Sequence, residues 1–139
     1  MGRILAIDYG KRRTGIAVTD PSQIIANGLT TVETKTLFEF LADYMQREAV
    51  ERIVVGLPRQ TTGEMSENWK RVEPFVNRLR KLYPDVTVDF YDERFTSVMA
   101  HRVMLESGIG RKARQDKALV DKISACIILE DYLESKRGL

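Results

Sequence analysis

The spacing of apolar residues in the N-terminal third of the chain predicts three successive strands. Residues 3–8 form a short apolar run that ends on an acid, which predicts a first strand. Residues 9–13 contain a glycine and predict a tight turn, so that residues 14–19 become a second strand paired with the first. A third strand is predicted around residues 23–32. Together these segments predict an antiparallel meander.

Helices and strands alternate in the rest of the predicted chain. Thr36-Leu37-Phe38-Glu39 has the form of a capping box, and apolar residues recur after it at helical spacing. The predicted elements are a helix to about Glu48, a strand over 52–56, a helix over about 66–83, a strand over 86–91, a helix that begins near residue 96, and a last helix capped by Asp116 that runs to about Ser135. The pattern predicts an α/β fold whose mixed five-stranded sheet joins the three-strand antiparallel meander to two parallel strands, with helices on both faces.

Length and composition narrow the class of protein. The 139 residues suit one domain over residues 1–139, and 43% apolar with 30% charged residues indicate a globular chain. No segment reaches the ~18 apolar residues of a membrane span, so a cytoplasmic protein without membrane contact is expected. Cys126 and His101 are single residues of their types, which excludes an internal disulfide and a Cys/His zinc site. The chemistry must rest mainly on carboxylates and basic residues.

Basic residues are unevenly distributed, although the net charge is only +2. One cluster, Lys11, Arg12 and Arg13, falls in the first predicted turn. A second cluster follows Gly108 and Gly110 and consists of Arg111, Lys112, Arg114 and Lys117. Because both clusters lie in turns or loops rather than along a solvated helix face, they are predicted to contact the phosphates of a nucleic acid.

Acids from three separated segments form the second candidate feature. Asp8 ends the first strand, Asp92 and Glu93 close the fifth, and Asp121 lies one turn into the last helix. Each has a local explanation on its own, such as a turn or a helix-dipole contact. If the first strand is central, however, the three segments can meet at one sheet edge. Clustered carboxylates favour a hard divalent cation, Mg²⁺ or Mn²⁺, and two such ions support phosphodiester hydrolysis.

Four sequence blocks resemble the YqgF (RuvX) family. They are Ile7-Asp8-Tyr9-Gly10 with Thr14-Gly15-Ile16-Ala17-Val18, then Ile53-Val54-Val55-Gly56-Leu57-Pro58, then Asp92-Glu93-Arg94-Phe95-Thr96, and finally Lys117 with Val120-Asp121 and Ala125-Cys126-Ile127-Ile128-Leu129. The resemblance implies a ribonuclease H-like fold and a metal-dependent nuclease that carries its acidic triad at Asp8, Glu93 and Asp121. In a nuclease of this kind, Arg94 and the turn at residues 11–13 are expected to contact phosphate. The family was first described as Holliday-junction resolvases and is now linked to maturation of the 5′ end of the 16S ribosomal RNA precursor.

Other functions stay open at the level of the sequence. Asp8-Tyr9-Gly10 followed by Thr14-Gly15 is also similar to the first phosphate loop of actin-like nucleotide-binding proteins, although the chain has no second glycine-rich phosphate loop. A non-catalytic RNA-binding ribosome-assembly factor is a further alternative. The substrate is expected to be an RNA precursor or branched DNA, and the protein a monomer or a homodimer, since a junction resolvase needs a two-fold axis.

Overall fold

A five-stranded mixed sheet forms the centre of the computed structural model, which describes residues 2–57, 68–92 and 116–136. The strands are β1 (Arg3–Tyr9), β2 (Arg13–Thr19), β3 (Ala26–Glu33), β4 (Val50–Leu57) and β5 (Thr87–Asp92), in the spatial order β3-β2-β1-β4-β5. The first three strands pair antiparallel with one another, whereas β4 and β5 run parallel to β1. The predicted meander and the two parallel strands are confirmed, and β1 is the central strand, which is the condition under which the three acidic segments can meet.

Helices cover both faces of the sheet because the central strand is apolar on both. Leu5 and Ile7 pack in one core with α1 (Leu37–Arg47) and α2 (Trp69–Leu82), and Ile4 and Ala6 pack in a second core with α3 (Lys117–Lys136). Successive side chains of a strand point to opposite faces, so an unbroken apolar run requires cover on both sides. The predicted arrangement of helices on both faces is confirmed.

The start of α1 differs from the predicted capping box. A short 3-10 helix, Thr34–Thr36, precedes it, and the Thr36 hydroxyl donates to the Glu33 carbonyl oxygen at 2.9 Å rather than capping the helix. The Thr36 backbone, with φ −105° and ψ 7°, is not in the extended conformation that a capping residue needs, so this prediction is wrong. The predicted Asp116 cap of α3 is confirmed, since its Oδ1 accepts from the Ala118 and Leu119 amides at 3.0 and 3.4 Å.

The third strand begins later than its sequence suggests. The Asp20 carboxylate accepts hydrogen bonds from the amides of Ser22, Ile24 and Ile25 at 2.8–3.0 Å, which folds this segment into a turn. Gln23 adopts φ 60° within that turn, and pairing with β2 begins only at Ala26. The predicted start at residue 23 is therefore wrong by three residues.

The remaining predicted helix bounds agree to within a few residues where the structure describes them. The expected helix near residue 96 and residues 66–67 of the earlier helix lie outside the described residues. Among the helices that are described, none combines the length and the apolar character that crossing a membrane requires.

Candidate metal and nucleic-acid site

Asp8 lies on the sheet face that α3 covers. Ile4 and Ala6 pack beneath α3, while the Tyr9 ring packs on Phe75 of α2 with their centroids 4.8 Å apart. Because side chains alternate along β1, Asp8 shares the face of Ile4 and Ala6. Its cross-strand partner on β2 is Gly15. The acid that ends β1 therefore lies beside a position without a side chain.

Gly15 allows the backbone of Asp121 to approach the sheet directly. A Cβ atom added at Gly15 would lie 2.0 Å from the Asp121 carbonyl oxygen, which no side chain permits. Gly15 pairs with Asp8, and paired residues of antiparallel strands have Cα atoms about 5 Å apart. Asp121 therefore lies over β2, one strand away from Asp8. The structure thus brings these two predicted acids to neighbouring positions on one face.

Arg13 forms an ion pair with Asp121. Its Nε donates to Oδ2 of the carboxylate at 3.0 Å, and the two side chains are 39% and 25% exposed. Burial raises the pKa of Asp121 above its ordinary value, although the hydrogen bond and the charge of Arg13 act to lower it. Lys117, one helical turn earlier, also lowers this pKa, whereas Asp116 raises it. One guanidinium therefore offsets the burial of this carboxylate only in part.

The turn between β1 and β2 is fixed through its carbonyl groups. The Thr34 hydroxyl donates to the Gly10 oxygen at 2.7 Å, the Thr34 amide donates to the Arg12 oxygen at 2.9 Å, and Asn68 Nδ2 donates to the Tyr9 oxygen at 2.6 Å. A Cβ atom at Gly10 would lie 2.3 Å from the Arg13 oxygen, so the turn also needs glycine there.

Lys11 and Arg12 project from this fixed turn into solvent, and Lys117 is exposed at the start of α3. The cations are held near Asp8 and Asp121 because the turn directly follows β1 and because α3 crosses β2 at Gly15. These three residues, which are predicted to contact phosphate, are therefore close to the two acids.

The end of β5 lies at the same sheet edge as the end of β1. Ile7 pairs with Val55, and two residues further along β4 Leu57 pairs with Asp92, the last residue of β5. Glu93 follows Asp92 directly in the sequence and lies outside the described residues. The predicted phosphate contacts Arg94, Arg111, Lys112 and Arg114 also lie outside them. Among the residues that are described, no three acids, histidines or cysteines gather as a metal site.

Three residues that position the site were missed as site residues from the sequence. In the sequence, Gly15 belongs to a family block and to the motif similar to a phosphate loop, although a glycine inside a strand is also a signal for close backbone approach. Thr34 and Asn68 fix the turn through bonds to Gly10 and Tyr9 that span 24 and 59 residues, and nothing in their local sequence marks them for that contact.

The fold and the position of the acids define a ribonuclease H-like α/β domain. The central β1 ends on Asp8, and a late helix carries Asp121 across the sheet beside it.

Comparison with known proteins assigns the family within this class. The model of the RuvX family, described as Holliday junction resolvase, matches residues 2–135, and the chain belongs to that family. It is 62% identical to a protein of Bacteroides fragilis over 99% of both chains. A protein of Porphyromonas gingivalis is 57% identical over 97% of this chain and 98% of its own. Both relatives carry the name "Putative pre-16S rRNA nuclease". A solved structure, YeaZ from Pseudomonas aeruginosa, aligns over 78% of this chain at 17% identity with a TM-score of 0.46.

Proposed function

We propose that the protein is a cytoplasmic, metal-dependent nuclease that hydrolyses phosphodiester bonds of the 16S ribosomal RNA precursor during maturation of its 5′ end. The observation that carries the proposal is the placement of Asp121 over Gly15, beside Asp8, on one face of the sheet. A non-catalytic binding protein has no use for clustered acids beside its phosphate contacts. The family membership and the names of the relatives support a nuclease over an actin-like nucleotide-binding protein.

The residues at this edge fit a hard divalent cation. The side chains of Asp8 and Asp121 offer carboxylate oxygens, which Mg²⁺ and Mn²⁺ prefer. Burial raises the pKa of Asp121 even beside Arg13, so an added cation would offset a charge that the protein leaves undercompensated. Glu93, the next residue after β5, is the third proposed ligand. Bound ions, expected to be two, would activate the attacking water and stabilise the charge that develops on the phosphate.

The remaining proposed roles belong to cations. Lys11, Arg12 and Lys117 are exposed near the two acids, and they would bind backbone phosphates on either side of the cleaved bond. Arg94, Arg111, Lys112 and Arg114 are proposed to extend this contact along the nucleic acid. Since such contacts do not read bases, the shape of the folded RNA would select the cleavage site.

The experiment replaces either acid by an amide of the same size. Asp8→Asn and Asp121→Asn should each reduce Mn²⁺-dependent cleavage of a 5′-extended 16S precursor by several orders of magnitude, because the amide does not supply the charge that holds the metal. Both variants should still bind the RNA in a buffer without divalent metal ions. Asp131→Asn is the matched control, since Asp131 is also on α3 and burial also raises its pKa. Full activity in Asp8→Asn would exclude this edge as the active site.

A four-way DNA junction is the second candidate substrate, which the description of the family favours. Symmetrical cleavage of two strands requires a two-fold dimer. The junction and the RNA precursor are therefore to be incubated side by side, with the mass of the protein in solution measured on the same sample. Symmetrical cleavage of the junction by a dimer would show that the substrate is branched DNA rather than the RNA precursor. Cleavage of the RNA by a monomer would exclude a junction resolvase.

A further inference from the structure

The ion pair between Arg13 and Asp121 joins two residues that the proposed function uses differently. Asp121 is a proposed metal ligand, and Arg13 belongs to the basic turn that was predicted to contact phosphate. In the structure, however, the partly exposed guanidinium donates a hydrogen bond to the Asp121 carboxylate. We infer that Arg13 is a positioning residue with two successive partners: Asp121 while the site holds no metal, and a substrate phosphate once a divalent cation has taken over Asp121. This inference rests on the proposed function.

The position of Arg13 on the sheet makes both partners accessible. Arg13 is the first residue of β2, paired with Glu33 of β3, and Gly15 lies two residues further on the same face. Asp121 reaches this face because α3 lies on Gly15. On the other side, Arg13 directly follows the exposed Lys11 and Arg12 of the fixed turn. Arg13 thus stands between the acids and the exposed cations.

The geometry of the pair suits exchange rather than a permanent bond. The hydrogen bond that joins the partners runs from Nε of Arg13 to Oδ2 of Asp121 at 3.0 Å. Both side chains are also partly exposed, and ion pairs of that kind contribute little to stability. Losing the bond to Asp121 would therefore cost little.

Charge favours the divalent ion over Arg13. A metal ion carries twice the charge of a guanidinium and can contact Asp8 and Asp121 together, whereas the hydrogen bond of Arg13 goes to Asp121. Once the carboxylates are neutralised by the metal, the planar guanidinium is left with the ligand that it matches best, a phosphate of the bound nucleic acid. In the metal-free protein the same arginine reduces the repulsion between the two acids.

Two charge-matched variants test the exchange. Arg13→Gln and Arg12→Gln each remove one positive charge from the same turn, but Arg12 is exposed and makes no ion pair with a described acid. The affinity of a synthetic RNA hairpin is to be measured against salt concentration, once in EDTA and once in Ca²⁺. Each lost phosphate contact lowers the log–log salt slope by about one unit. Arg12→Gln should lower it in both buffers, whereas Arg13→Gln should lower it only in Ca²⁺.

Affinity for Mn²⁺ alone gives a second measurement without nucleic acid. Arg13→Gln should tighten Mn²⁺ binding about tenfold, because a like charge close to the metal is removed, and Arg12→Gln should change it about twofold or less. An equal loss of salt slope in both buffers would mean that Arg13 contacts phosphate while paired. An unchanged slope in both would make it structural. Either result, or weaker Mn²⁺ binding by Arg13→Gln, overturns the inference.

The wild-type protein provides a test that does not depend on the folding of a variant. The Arg13 Nε–H resonance should be protected from exchange in EDTA and should lose that protection when Mg²⁺ is added, while the Arg12 signal stays constant. Persistence of the protected signal at saturating Mg²⁺ would contradict the exchange. Failure of the wild type to bind Mn²⁺ or to cleave would instead count against the proposed function. If the wild type binds metal and cleaves, but the Arg13 signal responds to Mg²⁺ as the Arg12 signal does, only the inference about Arg13 is overturned.

Discussion

The missing side chain at Gly15 decides where Asp121 can lie. The Asp121 carbonyl oxygen occupies the space that any Cβ at position 15 would need, so α3 rests on the backbone of β2 at this point. This contact places the acid of the helix beside the acid of the strand. A single residue that carries no functional group therefore determines the geometry of the site.

Gly15→Ala should move α3 away from the sheet. The added methyl group would overlap backbone atoms, and overpacking of this kind costs about 1–3 kcal/mol, or more where backbone must shift. We expect a lower free energy of unfolding in urea and weaker Mn²⁺ binding. Gly28→Ala is the control, because its Cβ would meet only the flexible Lys122 side chain, at 2.9 Å, and should cost less. Equal effects of the two variants would contradict the role assigned to Gly15.

Two acids on the α3 face should respond to pH with opposite signs. Burial raises the pKa of Asp121 despite Arg13. Burial also acts on Asp89, but hydrogen bonds from Tyr132 and Arg52 hold its pKa below the ordinary value. A raised pKa gives stability that is present below the unfolded pKa, about 3.9, and is lost as pH rises through the folded value. A lowered pKa gives stability that is present above the unfolded pKa and is lost as pH falls through the folded value.

Asp121→Asn should therefore be more stable than the wild type at neutral pH, and this advantage should shrink toward about pH 3. Asp89→Asn should be less stable than the wild type at neutral pH, with a smaller difference in acid. Unfolding free energies from urea titrations in EDTA at several pH values measure both. A loss of stability at neutral pH in Asp121→Asn would show that the Arg13 contact outweighs the cost of burial.

At the scale of elements, the turn between β1 and β2 is held by parts of the chain that are remote in sequence. The Thr14 hydroxyl lies 2.9 Å from that of Thr34, whose own proton goes to the Gly10 oxygen. The short helix that contains Thr34 replaces the predicted capping box, so the residues before α1 serve the turn instead of the helix end. The basic residues Lys11 and Arg12 are presented from this braced segment.

Thr34→Val should loosen that turn while keeping the shape of the side chain. It removes the donor to the Gly10 oxygen and the acceptor for Thr14, and net losses of about 1 kcal/mol per hydrogen bond are typical. Amide exchange in residues 9–13 should accelerate, and the free energy of unfolding should fall. Thr36→Val is the matched control, since its hydroxyl donates to the nearby Glu33 oxygen and to no described residue of the turn. Equal exchange rates in the two variants would contradict the bracing role.

Patterns of apolar residues predicted the elements better than their ends. Alternation and unbroken runs follow from burial on one or both faces, so the five strands and their mixed pairing were correct. The ends depend on local competition between hydrogen bonds. The Asp20 carboxylate captures three amides and delays β3, and a 3-10 turn prevents Thr36 from capping α1. The Arg13–Asp121 pair spans 108 residues, and no local pattern predicts such a contact.

At the scale of the whole molecule, the two ends of the strands differ. The proposed site lies at the end where β1 stops, and the helices end at the other. Asp8, the basic turn and the start of α3 lie where β1 ends. The ends of α1, α2 and α3 lie at the opposite edge, where β1, β4 and β5 begin. Each of these helices has cations in its last turn, among them Arg47, Lys81 and Lys136, as expected for contacts with helix dipoles. Cations therefore lie at both ends of the sheet, although the net charge is only +2.

Removing three cations from each edge separates specific phosphate contact from general charge. Lys11, Arg12 and Lys117 are replaced by Ala in one variant, and Arg47, Lys81 and Lys136 in the other, so both lose the same charge. The first variant should lower the log–log salt slope of RNA binding by up to about three units, since each lost phosphate contact contributes about one. The second should leave the slope nearly unchanged, because its charges lie farther away than a Debye length of about 8 Å at physiological salt. Fluorescence anisotropy across a salt series measures both slopes. Equal reductions would mean that the nucleic acid binds the overall charge of the protein rather than the edge that carries Asp8 and Asp121.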